Sequence, residues 1–309
     1  MNQEIIPPVP LSLLKAELTA DRLLRVSNRA GNEIYVVDGR EAPNVMREIG
    51  RLREIAFRAG GGGTGKDCDI DEFDLMDTPC KQLIVWNPES QQIIGGYRYI
   101  TGRDIAFLPD GTPRIATAHM FRFSERFLRE YLPNTIELGR SFVRLEYQST
   151  RAGNKAVYTL DNLWDGLGAL TVIHPDIKYF FGKVTMYPGY ARECRNMILY
   201  FLNRHFPDPD NLVRPITPLV TDIDTEAMAR IFTGKDFHED YAILHKAVRS
   251  HGLNIPPLVN AYMSLSPTMR VFGTAVNTEF GDVEETGIFI AFSEILEAKK
   301  RRHIDSYQP

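Results

Sequence analysis

One stretch, Ile136–Tyr147 (IELGRSFVRLEY), constrains this chain more than any other. Its β-branched and aromatic residues read as a strand, yet Glu137, Arg140, Arg144 and Glu146 sit inside it. Charged groups are not buried without partners, so the segment is either the solvated face of an edge strand or the wall of a site. Residues three apart on a regular strand point to opposite faces, so Glu137 and Arg140 share a site only across a bulge. Gly139 between them is a residue type that tolerates one. Such a kink would also turn backbone N–H groups out of the ladder, toward an oxyanion.

The rest of the chain bounds the setting. With 309 residues, 43% hydrophobic and 25% charged, it has room for one large domain or two ordinary ones around a buried core. A net charge of −4 gives no global argument for nucleic acid or a membrane surface, and no nucleic-acid partner is expected. Cys68, Cys80 and Cys194 form neither a disulfide framework nor a zinc pattern, which fits a reducing cytoplasm. The histidines are scattered and no metal is expected. The opening MNQEIIPPVP lacks the pattern of a signal peptide, and no apolar run reaches the roughly eighteen residues of a membrane span.

In order, residues 1–30 read as a Pro-rich lead with one or two short helices, and Glu33–Val37 as a strand. Ala42–Arg58 has helical spacing, and Lys81–Trp86 with Ile93–Ile100 reads as a hairpin. Phe121–Tyr131 spaces Arg122, Arg126 and Arg129 along one helical face. Val157–Val172 and Ala191–Phe206 read as helices on either side of the aromatic strand Ile177–Met186. Residues 207–240 are rich in Pro and Asp and look like an insertion, followed by a helix over His238–Ser250. Strands around Arg270–Thr274 and Thr286–Phe292 and a helical, basic tail complete the chain. Helices interrupting a mixed sheet predict an α/β (α+β) fold. We expect a helical lead over 1–30, then one domain over 31–309 with a helical insertion at about 207–250.

Gly60–Asp67 (GGGGTGKD) imitates a phosphate-binding loop, but Asp67 stands where that loop needs Ser or Thr. The preceding segment is also helical rather than a buried strand. A mobile glycine-rich loop that orders over a substrate is the better expectation.

Four spaced motifs carry a resemblance. Arg53-x-x-x-Phe57, Asp71-x-x-Asp74, Gly96-Tyr97-Arg98 and Glu137-x-x-Arg140 are similar to those of acyl-homoserine-lactone synthases. The strings ELGRSFV, LDNLWDGL, YFFG and IPPLVNAYMSL resemble more closely the related ornithine- and glycine-acylating enzymes, sometimes labelled hemolysins, which make bacterial aminolipids. Both groups belong to the GNAT acyltransferase superfamily, and the likeness runs from about residue 33 to 292.

This resemblance implies a GNAT-like sheet and transfer of a 3-hydroxyacyl group from acyl carrier protein to the amine of an amino acid. The acceptor would be glycine or ornithine, with the overall likeness nearer to glycine. Glu137 would be the base, and N–H groups of Ser141, Phe142 and Val143 the oxyanion donors. Arg98 and Arg140 would hold the acceptor carboxylate, while Asp71 and Asp74 pair with Arg53 or Arg98 and fix the loop over the site. Phe57 belongs to the same motif set. Arg122, Arg126 and Arg129, or Arg151 and Lys155, would dock the acidic carrier.

The superfamily's signature Q/R-x-x-G-x-G/A is not intact at Arg151–Ala156, which favours a carrier-bound acyl-phosphopantetheine over coenzyme A and implies no bound cofactor. The protein would be cytoplasmic, with peripheral contact at the inner membrane face. A lactone-synthase-like enzyme and a non-catalytic acyl-carrier-binding protein are the alternatives.

Overall fold

The computed structural model describes residues 2–148 and 154–308, with 154–157 described by backbone alone. The chain opens with α1 (Leu11–Glu17), β1 (Leu23–Val26), β2 (Glu33–Asp38), α2 (Pro43–Gly60) and α3 (Glu72–Leu75). The hairpin β3 (Lys81–Asn87) and β4 (Gln92–Thr101) follows, then β5 (Phe121–Phe123), β6 (Thr135–Val143), α4 (Asn154–Ile173) and β7 (Tyr179–Met186). After α5 (Arg192–His205) come β8 (Val213–Pro215), α6 (Thr225–Ile231), α7 (Phe237–Ser250) and α8 (Pro257–Met263). β9 (Arg270–Asn277), β10 (Val283–Ala291) and α9 (Glu297–His303) close the chain.

These elements form a mixed α/β architecture, as the alternation of patterns predicts. Eight strands make one sheet in the order β1-β2-β3-β4-β6-β7-β10-β9, and β5 pairs with β8 outside it. Within the large sheet only β6 and β7 run parallel, and their pairing is confined to Thr135–Glu137 against Tyr179–Phe181. Beyond Glu137 the two strands run on unpaired with each other, leaving a wedge at the centre of the sheet. Alternation along β6 sorts its side chains. Ile136 and Leu138 pack with Leu163, Leu167 and Phe180 under α4, while Glu137 faces the other side. On that other side α2 covers the first half of the sheet, with Val45, Ile49 and Leu52 packed on Tyr35, Ile84 and Trp86.

Three segments differ from the sequence reading. The lead is helical over α1 and a 3₁₀ turn at Ala20–Arg22, but Leu23 and Leu24 fall in β1, which pairs with β2, because that edge of the sheet offers backbone partners that a lone short helix lacks. Phe121–Tyr131 is not one helix. Phe121 and Phe123 belong to β5, and a π-helical turn starts at Phe127. Phe127 is fully buried among Phe181, Phe272 and Phe289, and burying these rings overrides the helical spacing of the arginines. β6 ends at Val143, and Leu145–Tyr147 is a 3₁₀ turn. The 207–250 segment carries α6 and α7 as expected, and adds the short strand β8.

The C-terminal helix α9 docks on α4 at Gly168, where any side chain would overlap the His303 carbonyl. His303 Nδ1 lies 2.7 Å from the buried Asp165 carboxylate, which also accepts from Asn28. Gly168→Ala is expected to destabilise the protein by about 1–3 kcal/mol through this overlap. A urea-melt midpoint unchanged from the parent would show that α9 is not held there.

Candidate active site

The centre of the site is an irregularity in β6. Gly96 pairs with Phe142 and Arg98 with Gly139, so Tyr97 of β4 lies opposite two residues, Arg140 and Ser141. This is a bulge, and the positive φ falls on Arg140 (48°) rather than on its glycine neighbour. A non-glycine residue held there costs about 1–3 kcal/mol, which the surroundings must over-determine. Gly139 has a different part: a side chain on it would meet nothing within 4 Å, because it forms bare floor beneath a cavity. The bulge brings Glu137 and Arg140 onto this one cavity of about 440 Å³, together with Arg98, Lys183, Asp69 and Asp71.

Glu137 is 2% exposed and takes part in no ion pair among the described residues. Its Oε1 accepts the Thr117 N–H at 3.2 Å. Burial pushes its carboxyl above the usual glutamate range, against the opposing pull of Arg98, Thr117 and Lys183.

The arginines of the motif set are held by aspartates. Asp74 lies fully buried between Arg53 Nη1 and Arg98 Nη1, each 3.3 Å away, and also accepts from Gln82 Nε2 at 2.8 Å. Arg53 donates in addition to Gln82. Burial would raise the Asp74 carboxyl, but Arg53 and Arg98 outweigh it and hold the group well below its ordinary value. Arg98 Nη1 also reaches Asp71 at 2.6 Å. Arg140 Nε lies 2.9 Å from Asp69 and its Nη2 3.4 Å from Asp71, with its guanidinium over the Phe280 ring at 4.6 Å. The Arg140–Asp69 contact is an ion pair by distance only; its angle makes no hydrogen bond. Loop 69–74 is thus fastened to α2, β4 and β6 at once. Gly50 lets it lie this close to α2, since a methyl there would press on Cys68 and Ile70.

The glycine-rich loop is anchored rather than mobile. Glu54 on α2 accepts the N–H groups of Thr64 and Gly65 and the Thr64 hydroxyl at 2.8–3.1 Å. A carboxylate of the chain therefore occupies the donors that a phosphate would need. Thr64 and Lys66 still reach the mouth of the cavity.

The other expected residues are dispersed. The Phe57 ring packs on Phe280 at 5.1 Å inside the core. Ser141 lies near the Tyr97 hydroxyl, on the far face of the sheet. The Arg144 N–H donates to Ile94 and the Phe142 carbonyl closes on Gly95, so both residues face β4. Val143, between them, turns its N–H toward the wedge beside β7. Arg126 pairs with Glu130 and Asp210 at 3.0 and 3.1 Å, and Arg129 with Glu125, so neither offers a free charge. Arg122 lies on β5 directly opposite Arg214 of β8, and neither has an acidic partner among the described residues. Arg151 and the side chain of Lys155 lie outside the described residues.

Burial pushes the Cys68 and Cys80 thiols up to about 12, which leaves them protonated and weakly nucleophilic. Lys183, Asp69, Thr117 and Glu54 were not expected at the site. Lys183 left a signal as a lone cation inside an aromatic strand, and Asp69 as the first residue of the acidic run Asp69–Asp77.

Removing the Asp74 carboxylate leaves two buried guanidinium groups facing each other. Asp74→Ala is expected to cost about 3–5 kcal/mol. Because the native carboxyl is depressed, its contribution is present above the unfolded pKa of about 3.9 and fades as pH falls through the native value. Acid titration of the unfolding free energy would check this; equal acid sensitivity in Asp74→Asn and parent would refute it.

A family model described as an acetyltransferase (GNAT) domain matches residues 52–157. Two curated relatives, the glycine N(alpha)-acyltransferases of Phocaeicola vulgatus and Bacteroides thetaiotaomicron, are each 64% identical over 305 residues. These alignments span 99% of this chain and 94% and 90% of the respective relatives. Among solved structures, a CoA-dependent acyl-homoserine lactone synthase with SAM and isopentyl-CoA aligns with 89% of this chain and 92% of its own. That alignment has 12% identity and a TM-score of 0.38.

Proposed function

We propose that this chain, which belongs to the family of the glycine N(alpha)-acyltransferases and is an acyltransferase, carries a 3-hydroxyacyl group from acyl carrier protein to the α-amine of glycine. The product is an N-acyl amino acid, the first intermediate of an aminolipid. The observation that carries the reading is Glu137: a buried carboxylate with no ion-pair partner among the described residues, raised in pKa, on the wall of a cavity of ligand size.

The chemistry follows from that placement. The free amine attacks the thioester carbonyl, a C–N bond forms, and one amine proton passes to Glu137. The carbonyl oxygen gains charge, and the Val143 N–H in the wedge between β6 and β7 is the donor turned toward it. Collapse breaks the C–S bond and releases the phosphopantetheine thiol, which takes up a proton. A base works best when its pKa lies near the operating pH, and burial moves Glu137 in that direction.

The missing Q/R-x-x-G-x-G/A string supports a carrier-bound donor over coenzyme A. Of the three arginines at helical spacing, Arg122 alone keeps a free charge, and with Arg214 it is the docking surface for the acidic carrier. No helix among the described residues is long and apolar enough to cross a membrane.

Glu137→Gln should lower kcat by about 10²–10⁴ while leaving the fold intact. The acidic limb of the parent kcat/KM profile should lie above the ordinary glutamate value of about 4.3 and vanish in the variant. Full activity of Glu137→Gln would remove Glu137 as the base. Reversing Arg214 to Glu should raise the KM for acyl carrier protein and, by pairing with Arg122, leave stability equal or higher. Unchanged carrier kinetics would place docking elsewhere.

A further inference from the structure

The acceptor's carboxylate needs a cation with donors to spare. Four cations line the cavity: Lys66, Arg98, Arg140 and Lys183. Lys66 is exposed on the glycine-rich loop, where a hydrated ammonium gains little by pairing. Arg98 is matched by Asp71 and Asp74, and Arg140 by Asp69, Asp71 and the face of Phe280. Lys183 differs. An ammonium carries three donors, and among the described residues its sole ion-pair partner is Glu285, which is 1% exposed and also accepts from Thr185. Its side chain retains 11% exposure, on the cavity.

The register sets the distance to the base. Glu137 pairs with Phe181, and Lys183 stands two residues further along β7 on the same face. With paired strands about 4.8 Å apart and a rise of about 3.3 Å per residue, the two Cα atoms are at least roughly 8 Å apart. Both side chains rise from the sheet into the cavity, and just there the strands part and leave room between them.

We propose that Lys183 anchors the carboxylate of the acceptor, while Glu137 on the neighbouring strand receives its amine, so that the pair gauges an α-amino acid. The proposal rests on the amino-acid acyltransferase reading above and adds the residue that recognises the acceptor. Burial lowers the Lys183 pKa, and the carboxylates of Glu285 and Glu137 counter that fall. Arg98 and Arg140 then hold loop 69–74 over the site rather than touch the acceptor carboxylate. Each methylene added between amine and carboxylate moves one of them off its partner, so β-alanine fits less well than glycine.

The test couples an enzyme change to a substrate change. Lys183→Met should raise the KM for glycine by about 10- to 100-fold, the range of a lost charge-assisted hydrogen bond, with the donor KM unchanged. Glycinamide, which lacks the carboxylate charge, should be a poor acceptor for the parent and no poorer for Lys183→Met. Lys183→Arg should recover part of the glycine KM. Because Lys183→Met leaves Glu285 buried and unpaired, Lys183→Met combined with Glu285→Gln serves as the folded control, with the same KM defect. Equal losses with glycine and glycinamide, or an unchanged glycine KM, would overturn the proposal. Calorimetric binding of glycine to the parent and the double variant is read in parallel. A parent that binds glycine through Lys183 but acylates no amine would count against the reaction and leave the anchor standing; equal binding by both proteins would overturn the anchor.

Discussion

Asp74 holds one buried negative charge between two buried guanidinium groups, and the site depends on that arrangement. Arg53 comes from α2, Arg98 from β4, and Asp74 from the short helix α3 between them, so a single carboxylate joins two helices and the sheet. Leaving any of the three unpaired in a low-dielectric interior costs several kcal/mol, which makes the arrangement all-or-none. Loop 69–74 is placed by this contact, and from it Asp69 and Asp71 reach Arg140. Arg140 is held in turn at a backbone conformation that few residues adopt. The strain of the bulge and the ion pairs of the loop belong to one structure, with the cavity as its product.

Against that crowded set of pairs, two groups stand out for what they lack. Among the described residues Glu137 accepts the Thr117 N–H but pairs with no cation, and Lys183 has one carboxylate for three donors. On the proposed reading one takes the proton of the amine and the other holds the carboxylate of the acceptor. They stand on the two strands that part at the middle of the sheet, where an acyl thioester could enter from the wedge and an amino acid from the cavity.

Much of this was legible in the residues. Glu137 and Arg140 were found because charges do not sit in an apolar strand without cause, and the need for a bulge follows from the two-residue repeat of a strand. The mismatch of Asp67 spoke against a phosphate loop, and the structure adds that Glu54 already fills the loop's donors. Arg122, Arg126 and Arg129 do not share one helical face, because the buried Phe127 reshapes the segment, and Glu130 and Glu125 pair with Arg126 and Arg129 four residues away.

The sequence by itself determined most of the order of strands and helices (though not β1, β5 or β8), the mixed α/β class, the charged pair at the heart of β6 and the family likeness. These are local or cumulative properties: periodicity, turn residues and short strings repeated in order. What only the tertiary structure decided is which of the charged residues are free. Arg98 and Arg140 look like a carboxylate clamp until the loop aspartates are seen against them, and Lys183 looks like one polar residue in an aromatic strand until β7 is laid beside β6. Residues 137 and 183 are brought together by a parallel pairing across a long connection, and no local pattern carries that register. Charge alone could be read from the chain, but pairing needed the fold.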